Sequence, residues 1–206
     1  MQDEGKVKEK EGKRQKIMQA AIKIFSRKGY NPAAIDEVAK GAGIAKGTLY
    51  LYFQDKEDLF YSTIMYVLAN LRLLLEEKID EKDTPIKILE DLAFYQLSYF
   101  SQNRDFFGIF QTILNDNLLV NHKKIFDMLS KKKKELIDYE SMIVERGKAE
   151  GFVRSDIETV DIVNSFDGMV MATVEQVCYF ESENPDFDVN SRIQSIMKIF
   201  LEGVSV

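Results

Sequence analysis

Residues 35–53 read IDEVAKGAGIAKGTLYLYF, and the way this stretch divides decides the fold. Ile35, Val38, Ala39 and Ala42 keep the i, i+3, i+4, i+7 spacing of one helix face. Gly43 and Ile44 interrupt that stripe, and a second one, Ala45, Leu49 and Phe53, begins. Two short helices therefore meet at a tight turn. Gly43 can take positive φ without steric penalty and Ala39 is small where the second helix must cross, the two demands of a helix-turn-helix corner. A generic helical hairpin satisfies the same spacing, so geometry alone leaves DNA binding and a plain structural corner both open.

With Ala45, Leu49 and Phe53 facing a core, the opposite side of the second helix presents Lys46, Gly47, Tyr50, Leu51 and Gln54, flanked by Thr48 and Tyr52. Lys46 can donate to guanine acceptors, Gly47 lets backbone approach a base edge, and Tyr50 and Leu51 offer apolar contact to thymine methyls. The threonine and tyrosine hydroxyls suit phosphate oxygens. Downstream, Asp55 reads as the N-cap of the next helix, with Asp58 at the third position in place of the capping-box glutamate. Lys56 beside that helix's free N-terminal amides completes an expected anion site.

Working outward, residues 13–28 predict a first helix with Ile17, Ala20, Ala21, Ile24 and Phe25 on one stripe, and Gly29 closes it as the C′ residue before the break GYNP. Residues 1–56 hold 12 Lys and Arg against 7 Asp and Glu, a net of +5, while the other 150 residues carry −11 of the total −6. An acidic chain with one basic end suits a polyanion contacted locally. The lysine-rich tail over 1–12 reads as a solvated mixed-charge arm, with backbone or minor-groove contacts as its functional alternative.

No uninterrupted apolar run approaches the ~18 residues that cross a bilayer, and no apolar h-region follows Met1, so neither a membrane partner nor a secretory leader is expected and a cytoplasmic address is. Cys178 is the only cysteine and His122 the only histidine, which excludes an internal disulfide and a multi-histidine metal cluster. No Gly-rich phosphate loop, Ser-His-Asp set or metal-ligand spacing appears. Neither an enzyme nor a cofactor is expected.

The stretch IMQAAIKIFSRKGYNPAAIDEVAKGAGIAKGTLYLYFQDKEDLF, residues 17–60, resembles the DNA-binding domain of the tetracycline-repressor-like (TetR) transcriptional regulators. AAIKIFSRKGY, IDEVAKGAGIAKGTLYLYF and DKEDLF follow in that family's order and spacing. The resemblance implies an all-α fold: a three-helix N-terminal DNA-binding domain with a helix-turn-helix, then a C-terminal helical bundle for ligand binding and dimerisation, about nine helices in all. The domains would be 1–12 tail, 13–56 DNA-binding head and 57–206 ligand-binding and dimerisation body. It further implies that residues 45–52 enter the major groove of a double-stranded, pseudo-palindromic operator. Lys46, Gly47, Thr48, Tyr50 and Leu51 would then face bases or adjoining backbone, and Tyr52 and Lys56 phosphates. One position departs from the pattern: Ala34 stands where relatives carry a capping Thr or Ser, although Asn31 offers a cap from an earlier start.

Beyond residue 60, helix signals span 57–80, 85–101, 104–115, 119–149, 157–181 and 189–203, with Pro85, Gly151 and Pro185 among the interruptions. His122 reads as an exposed helix start. The stretch 159–180 is apolar nearly all round: Ile162, Phe166, Met169 and Thr173 on one side, Val163, Val170, Val174 and Val177 on another. Such a helix is buried on two faces, one of them expected against a second copy. The predicted homodimer interface is Val163, Val170, Val174, Val177, Ile193, Ile196, Met197 and Phe200, since TetR-like proteins pair their last two long helices between subunits. A central helix within one subunit is the alternative.

An aromatic-rich middle, Phe94, Tyr95, Tyr99, Phe107 and Phe110, completed by Met128, Lys132, Tyr139, Phe166 and Met169, is the candidate effector site, with ordinary core packing as the plainer reading of each ring. Lys132 falls on the apolar side of the stripe Leu129, Leu136, Tyr139, Ile143 and would meet water or an anionic head group. Asp167, on the doubly apolar helix, needs a donor from a partner subunit, the core or a cationic ligand. The resemblance extends to regulators of fatty-acid breakdown that respond to acyl-coenzyme A, so the expected effector is apolar or lipid-like. The function expected is a ligand-released repressor; an activator and a ligand-sequestering protein with a vestigial head are the alternatives.

Overall fold

The computed structural model describes residues 2–116, 118–179 and 188–204. Among them the regular elements are all α-helices: α1 Gln2–Lys28, α2 Ile35–Gly41, α3 Lys46–Leu49, α4 Lys56–Lys78, α5 Pro85–Gln102, α6 Arg104–Asn115, α7 Leu118–Asn121, α8 Lys123–Ala149, α9 Thr159–Tyr179 and α10 Val189–Val204. The expected all-α class holds. Two elements differ from expectation. First, α1 starts at Gln2 instead of residue 13, and the Glu9–Lys13 pair, 2.8 Å apart with the acid N-terminal to the base, supports a helical extension of the tail. Second, the single helix expected over 119–149 is broken at His122. Its N–H closes α7 on the Leu118 carbonyl at 2.9 Å, while its own carbonyl accepts from Ile125 and Phe126 and opens α8. The last residues of the span 157–181, and Pro185, lie outside the described residues.

The chain forms two compact units, residues 1–70 with 105–126, and residues 71–104 with 127–206, a division unlike the expected boundary at residue 56. In the first unit, α1 buries Ile17, Ala20, Ala21 and Phe25 as its stripe predicts, α2 adds Val38 and Ala39, and Leu49, Phe53, Leu59, Phe60 and Ile64 complete the core. Phe25 meets Phe60 edge-on, ring centroids 4.9 Å apart, and Tyr30 packs on both Phe60 and His122. His122 also faces Glu57 at 3.4 Å, so the histidine expected to be exposed is half-buried.

The GYNP corner depends on residues far along the chain. Gly29, at φ 83°, ends α1 by donating to the Phe25 carbonyl at 2.9 Å. The Asp116 carboxylate then accepts from the Tyr30 and Asn31 N–H groups at 2.5 and 2.9 Å. A Cβ at Gly29 would stand 3.1 Å from that carboxylate, so positive φ and close approach both favour glycine. From α6, the Thr112 hydroxyl donates to the Phe25 carbonyl at 3.0 Å, and the Ser26 hydroxyl donates to Asp105 at 3.0 Å. Gly108 lets α6 come this near, since a Cβ there would lie 2.7 Å from that of Ser26. By contrast, α2 begins uncapped: Ala34 occupies the N-cap with no side-chain acceptor, and Asn31 does not substitute.

In the second unit α5, α9 and α10 pack on one another. Thr84 caps α5, accepting from the Lys87 N–H at 3.3 Å, and Pro85 takes the first turn, where its missing N–H costs nothing. α9 packs on both α5 and α10 and buries one broad apolar face within the chain. Val163, Val170, Val174, Val177, Ile193, Ile196, Met197 and Phe200 are all buried in the protomer, so the expected interface residues are core residues instead. The α9 surface left outward is Val160, Asp161, Asn164, Ser165, Gly168, Met171, Ala172, Glu175, Gln176 and Tyr179. By length and composition α4 is apolar enough to cross a membrane. Its face of Leu59, Phe60, Thr63, Ile64 and Val67 is instead buried in protein.

Two substitutions test this description in urea unfolding. Asp116→Ala leaves two backbone donors at the corner unpaired and is expected to cost about 1–3 kcal/mol. Ala34→Ser supplies the missing cap and is expected to add about 1 kcal/mol; no gain from the serine would mean that α2 is satisfied by other means.

Candidate functional site

The α2–α3 corner is closed by backbone. Ala42, Gly43 and Ile44 donate to the carbonyls of Val38, Lys40 and Ala39 at 2.9, 3.1 and 3.0 Å, with Gly43 at φ 69°. Beyond it, α3 is a single turn of helix, extended by bonds from Leu51 to Thr48 and from Tyr52 and Phe53 to Leu49. Leu49 and Phe53 are buried and fix the rotation of that turn. Ala45 does not join them: it is exposed, because as the N-cap its backbone is extended (φ −71°, ψ 148°) and falls out of the helical stripe. Lys46, Gly47 and Tyr50 face solvent, Thr48 and Tyr52 are half-buried, and Leu51 is 78 % and Tyr50 46 % exposed. A leucine and a tyrosine thus stand side by side in solvent on this face.

The cations around it are differently held. Lys46 pairs with Asp36 of α2 at 2.7 Å, both well exposed, and the hydrogen bond and charge of Asp36 raise its pKa. Such an exposed pair is weak and readily exchanged for another anion. Lys56 is anchored: it donates to the Asn31 carbonyl at 3.0 Å and sits 4.7 Å above the Tyr30 ring, and burial lowers its pKa. The cap of α4 is partly as expected. Asp55 accepts from the Asp58 N–H at 2.7 Å, but the Asp58 carboxylate takes the Gln54 N–H, one residue before the N-cap. Arg14 of α1 lies 5.3 Å over the Phe53 ring, a cation beside α3 that sequence spacing does not reveal.

The ten candidate effector residues do not form one lining. Phe107 and Phe110 lie on α6, in the first unit; the other eight lie in the second. There Phe94 and Tyr95 meet edge-on at 5.1 Å and border a half-open cleft of about 290 Å³ with Lys87, Asp91, Ile193 and Gln194. Tyr99, Met128 and Phe166 are buried, and Tyr139 and Met169 half-buried. Lys132 turns away to Glu135 at 2.6 Å, its i+3 neighbour, and Lys133 is the lysine that reaches inward, bonding Asp167. The missing donor for Asp167 thus comes from its own chain. Sequence periodicity missed Glu140, which is wholly buried and whose pKa is raised to about 9, by burial first and the neighbouring Asp167 second. Cys178 is a buried thiol, 3.6 Å from the Phe100 carbonyl and pushed up to about 11 by burial. Among the described residues no group of three His, Cys, Asp or Glu is placed to hold a metal.

Residues 17–62 match the family described as bacterial regulatory proteins, tetR family. Across 96 % of this chain and 98 % of its own length, the fatty acid metabolism regulator protein of Bacillus subtilis (strain 168) is 24 % identical. Among solved structures, a Clostridium perfringens protein described as a fatty acid metabolism regulator superposes with a TM-score of 0.75 at 29 % identity, covering 93 % of this chain and 99 % of that one. The transcriptional regulator FadR of Bacillus subtilis, solved in complex with stearoyl-CoA, has a TM-score of 0.70 at 19 % identity over 92 % and 98 %. Residues 17–62 thus carry a helix-turn-helix domain similar to that of the tetR family, on an all-α chain that aligns with these regulators along nearly its whole length.

Proposed function

We propose that the protein is a homodimeric, cytoplasmic repressor that leaves its operator when a small apolar or amphipathic effector binds the C-terminal body. The observation that carries this reading is the solvent-facing patch of Lys46, Gly47, Tyr50 and Leu51 on a turn of helix locked by Leu49 and Phe53. A cation, an exposed backbone and two apolar tips are the groups that major-groove edges accept. Thr48 and Tyr52 flank the patch with hydroxyls for phosphate. Lys56 acts on phosphate after exchanging its bond to Asn31, or serves as a brace for the corner.

The second copy meets the outward face of α9, where Ser165, Gly168 and Ala172 are small enough for close helix approach and Met171 is exposed. Exposed Ile199 extends that face onto α10. A two-fold pair of heads then reads half-sites about one helical turn apart. The effector class follows from the relatives: one of 24 % identity along nearly the whole chain is named for fatty acid metabolism, and a structural neighbour holds stearoyl-CoA. An acyl-coenzyme A is therefore the first ligand to try. To release DNA it must bind the two states of the dimer unequally, by a coupling of about 1–3 kcal/mol.

Duplex binding measured across a salt series tests the DNA-facing surface. The wild-type dimer is expected to show log K falling with log salt at a slope of about −0.9 per phosphate contact. Lys46→Ala is expected to weaken operator binding by about ten-fold with the dimer intact, and Tyr52→Phe to weaken it less, through one lost phosphate bond. Stearoyl-CoA added to the complex is expected to lower operator affinity at least 5-fold. Unchanged affinity in both variants would remove α3 as the reading element.

A further inference from the structure

The face of α1 that packs into the first unit changes character toward the N-terminal end of the helix. Phe25, Ala21 and Ile17 are buried in the core. Continued back along the helix at the same spacing, that stripe becomes Arg14 and then Lys10. Arg14 is half-buried, its guanidinium 5.3 Å over the ring of Phe53, the core residue that ends the α3 turn. Lys13 is exposed, and its pKa is raised by Glu9 first and by the Tyr52 phenol last, which puts it within electrostatic reach of Tyr52. Lys10 is exposed and lies about 6 Å farther along the axis than Arg14. Its sequence neighbours Glu9 and Glu11 are turned about 100° to either side. Three cations therefore follow the end of the apolar core, beside the residues that close the α3 turn.

Resting on the DNA-reading face proposed above, we infer that Arg14, Lys13 and Lys10 form a second contact element, a clamp on the phosphates of the strand that borders the major groove at the Tyr52 edge of α3. The groove is about 12 Å wide, so a turn of helix lying in it has a phosphate backbone on each side. Groups set beside that turn, and not on its outward tip, meet phosphate. Tyr52 is the hydroxyl on this edge, and Arg14 and Lys13 share the edge with it. A guanidinium held over a ring face still directs its N–H groups outward in its own plane, where a phosphate accepts two of them. Lys13 exchanges its bond to Glu9, an exposed pair of the kind that contributes little, for a phosphate. Lys10, on the Arg14 stripe, extends the row along the backbone. Contacts of this kind fix orientation and add affinity for any duplex while carrying no base information. The clamp also gives a use to the net charge of +5 over residues 1–56, which Lys46, paired with Asp36, and Lys56, bonded to Asn31, do not by themselves account for.

Binding of the full-length protein across a salt series, to a mixed-sequence duplex and to the duplex it selects from genomic fragments, tests this. Lys10→Gln, Lys13→Gln and Arg14→Gln are each expected to reduce the slope of log K against log salt by about 0.9. Each is expected to weaken both duplexes by the same factor, since a phosphate contact is indifferent to sequence. Glu9→Gln, which frees Lys13, is expected to tighten binding to both. Lys23→Gln is the control for net charge: Lys23 is exposed on α1, half a turn round from Arg14, and its loss is expected to leave the slope unchanged. Because Arg14→Gln also removes a contact to Phe53, its melting temperature is read alongside, and the two exposed lysines carry the test without that contact. Equal effects of Lys23→Gln and Lys10→Gln, or a loss confined to Arg14→Gln protein that melts lower than the wild type, overturn the clamp. Lysine variants unchanged in slope while Lys46→Ala still weakens the selected duplex overturn it too, and leave the reading face standing. A wild type without salt-dependent affinity for either duplex overturns the reading face and the clamp together.

Discussion

The Asp116 carboxylate, bonded to the Tyr30 and Asn31 N–H groups, is the constraint on which the DNA-reading unit depends. These residues are some 85 positions apart, and their bond joins the end of α1 to the chain that leaves α6. Around it, Thr112 and Ser26 tie α6 to the last turn of α1, and Lys56 ties the start of α4 to Asn31. The unit that carries the helix-turn-helix is consequently not a continuous segment. It includes residues 105–126, which linear inspection assigns to the body of the protein. A unit assembled in this way holds α3 in a fixed place on its own core, and whatever moves α6 acts on the head through hydrogen bonds already made.

The helix-turn-helix was legible because local chemistry and tertiary packing agree there. Gly43 takes positive φ, Leu49 and Phe53 are core, and Leu51 points outward, all as the spacing of short elements requires. The errors arose where the decisive partner is distant. Ala45 is a local exception: a helical wheel puts it on the core stripe, but it stands one residue before the helix with extended backbone and is exposed. Asp116 carries no local signal for a corner cap, since its acceptors serve donors in another part of the sequence. The α9 valines illustrate a wider limit: a helix apolar on two sides needs two partners, and periodicity cannot say whether both lie in the same chain. Here α9 packs on α5 and α10 of its own chain, and its outward side carries Ser165, Gly168 and Ala172 beside Val160, Met171 and Tyr179.

The effector body was the least legible region for a related reason. Aromatic residues are common in cores, and their sequence clustering did not predict that Phe107 and Phe110 would fall in a different unit from Phe94 and Tyr95. Nor did a run of four lysines show which of them turns inward. The one that does, Lys133, lies near a buried carboxyl pair whose cost to stability is hard to account for by packing. Groups of this kind are read from burial and unmet hydrogen bonds, quantities that exist only once the chain is folded.

Selection of genomic fragments by the purified full-length protein tests the central claim, that the outward face of α3 reads operator DNA from a two-fold assembly. The account predicts enrichment of one inverted repeat, with half-sites spaced by about one helical turn or a multiple of it. Recovery of no sequence above background by folded protein freed of bound ligand, or of sites lacking two-fold symmetry, would contradict it.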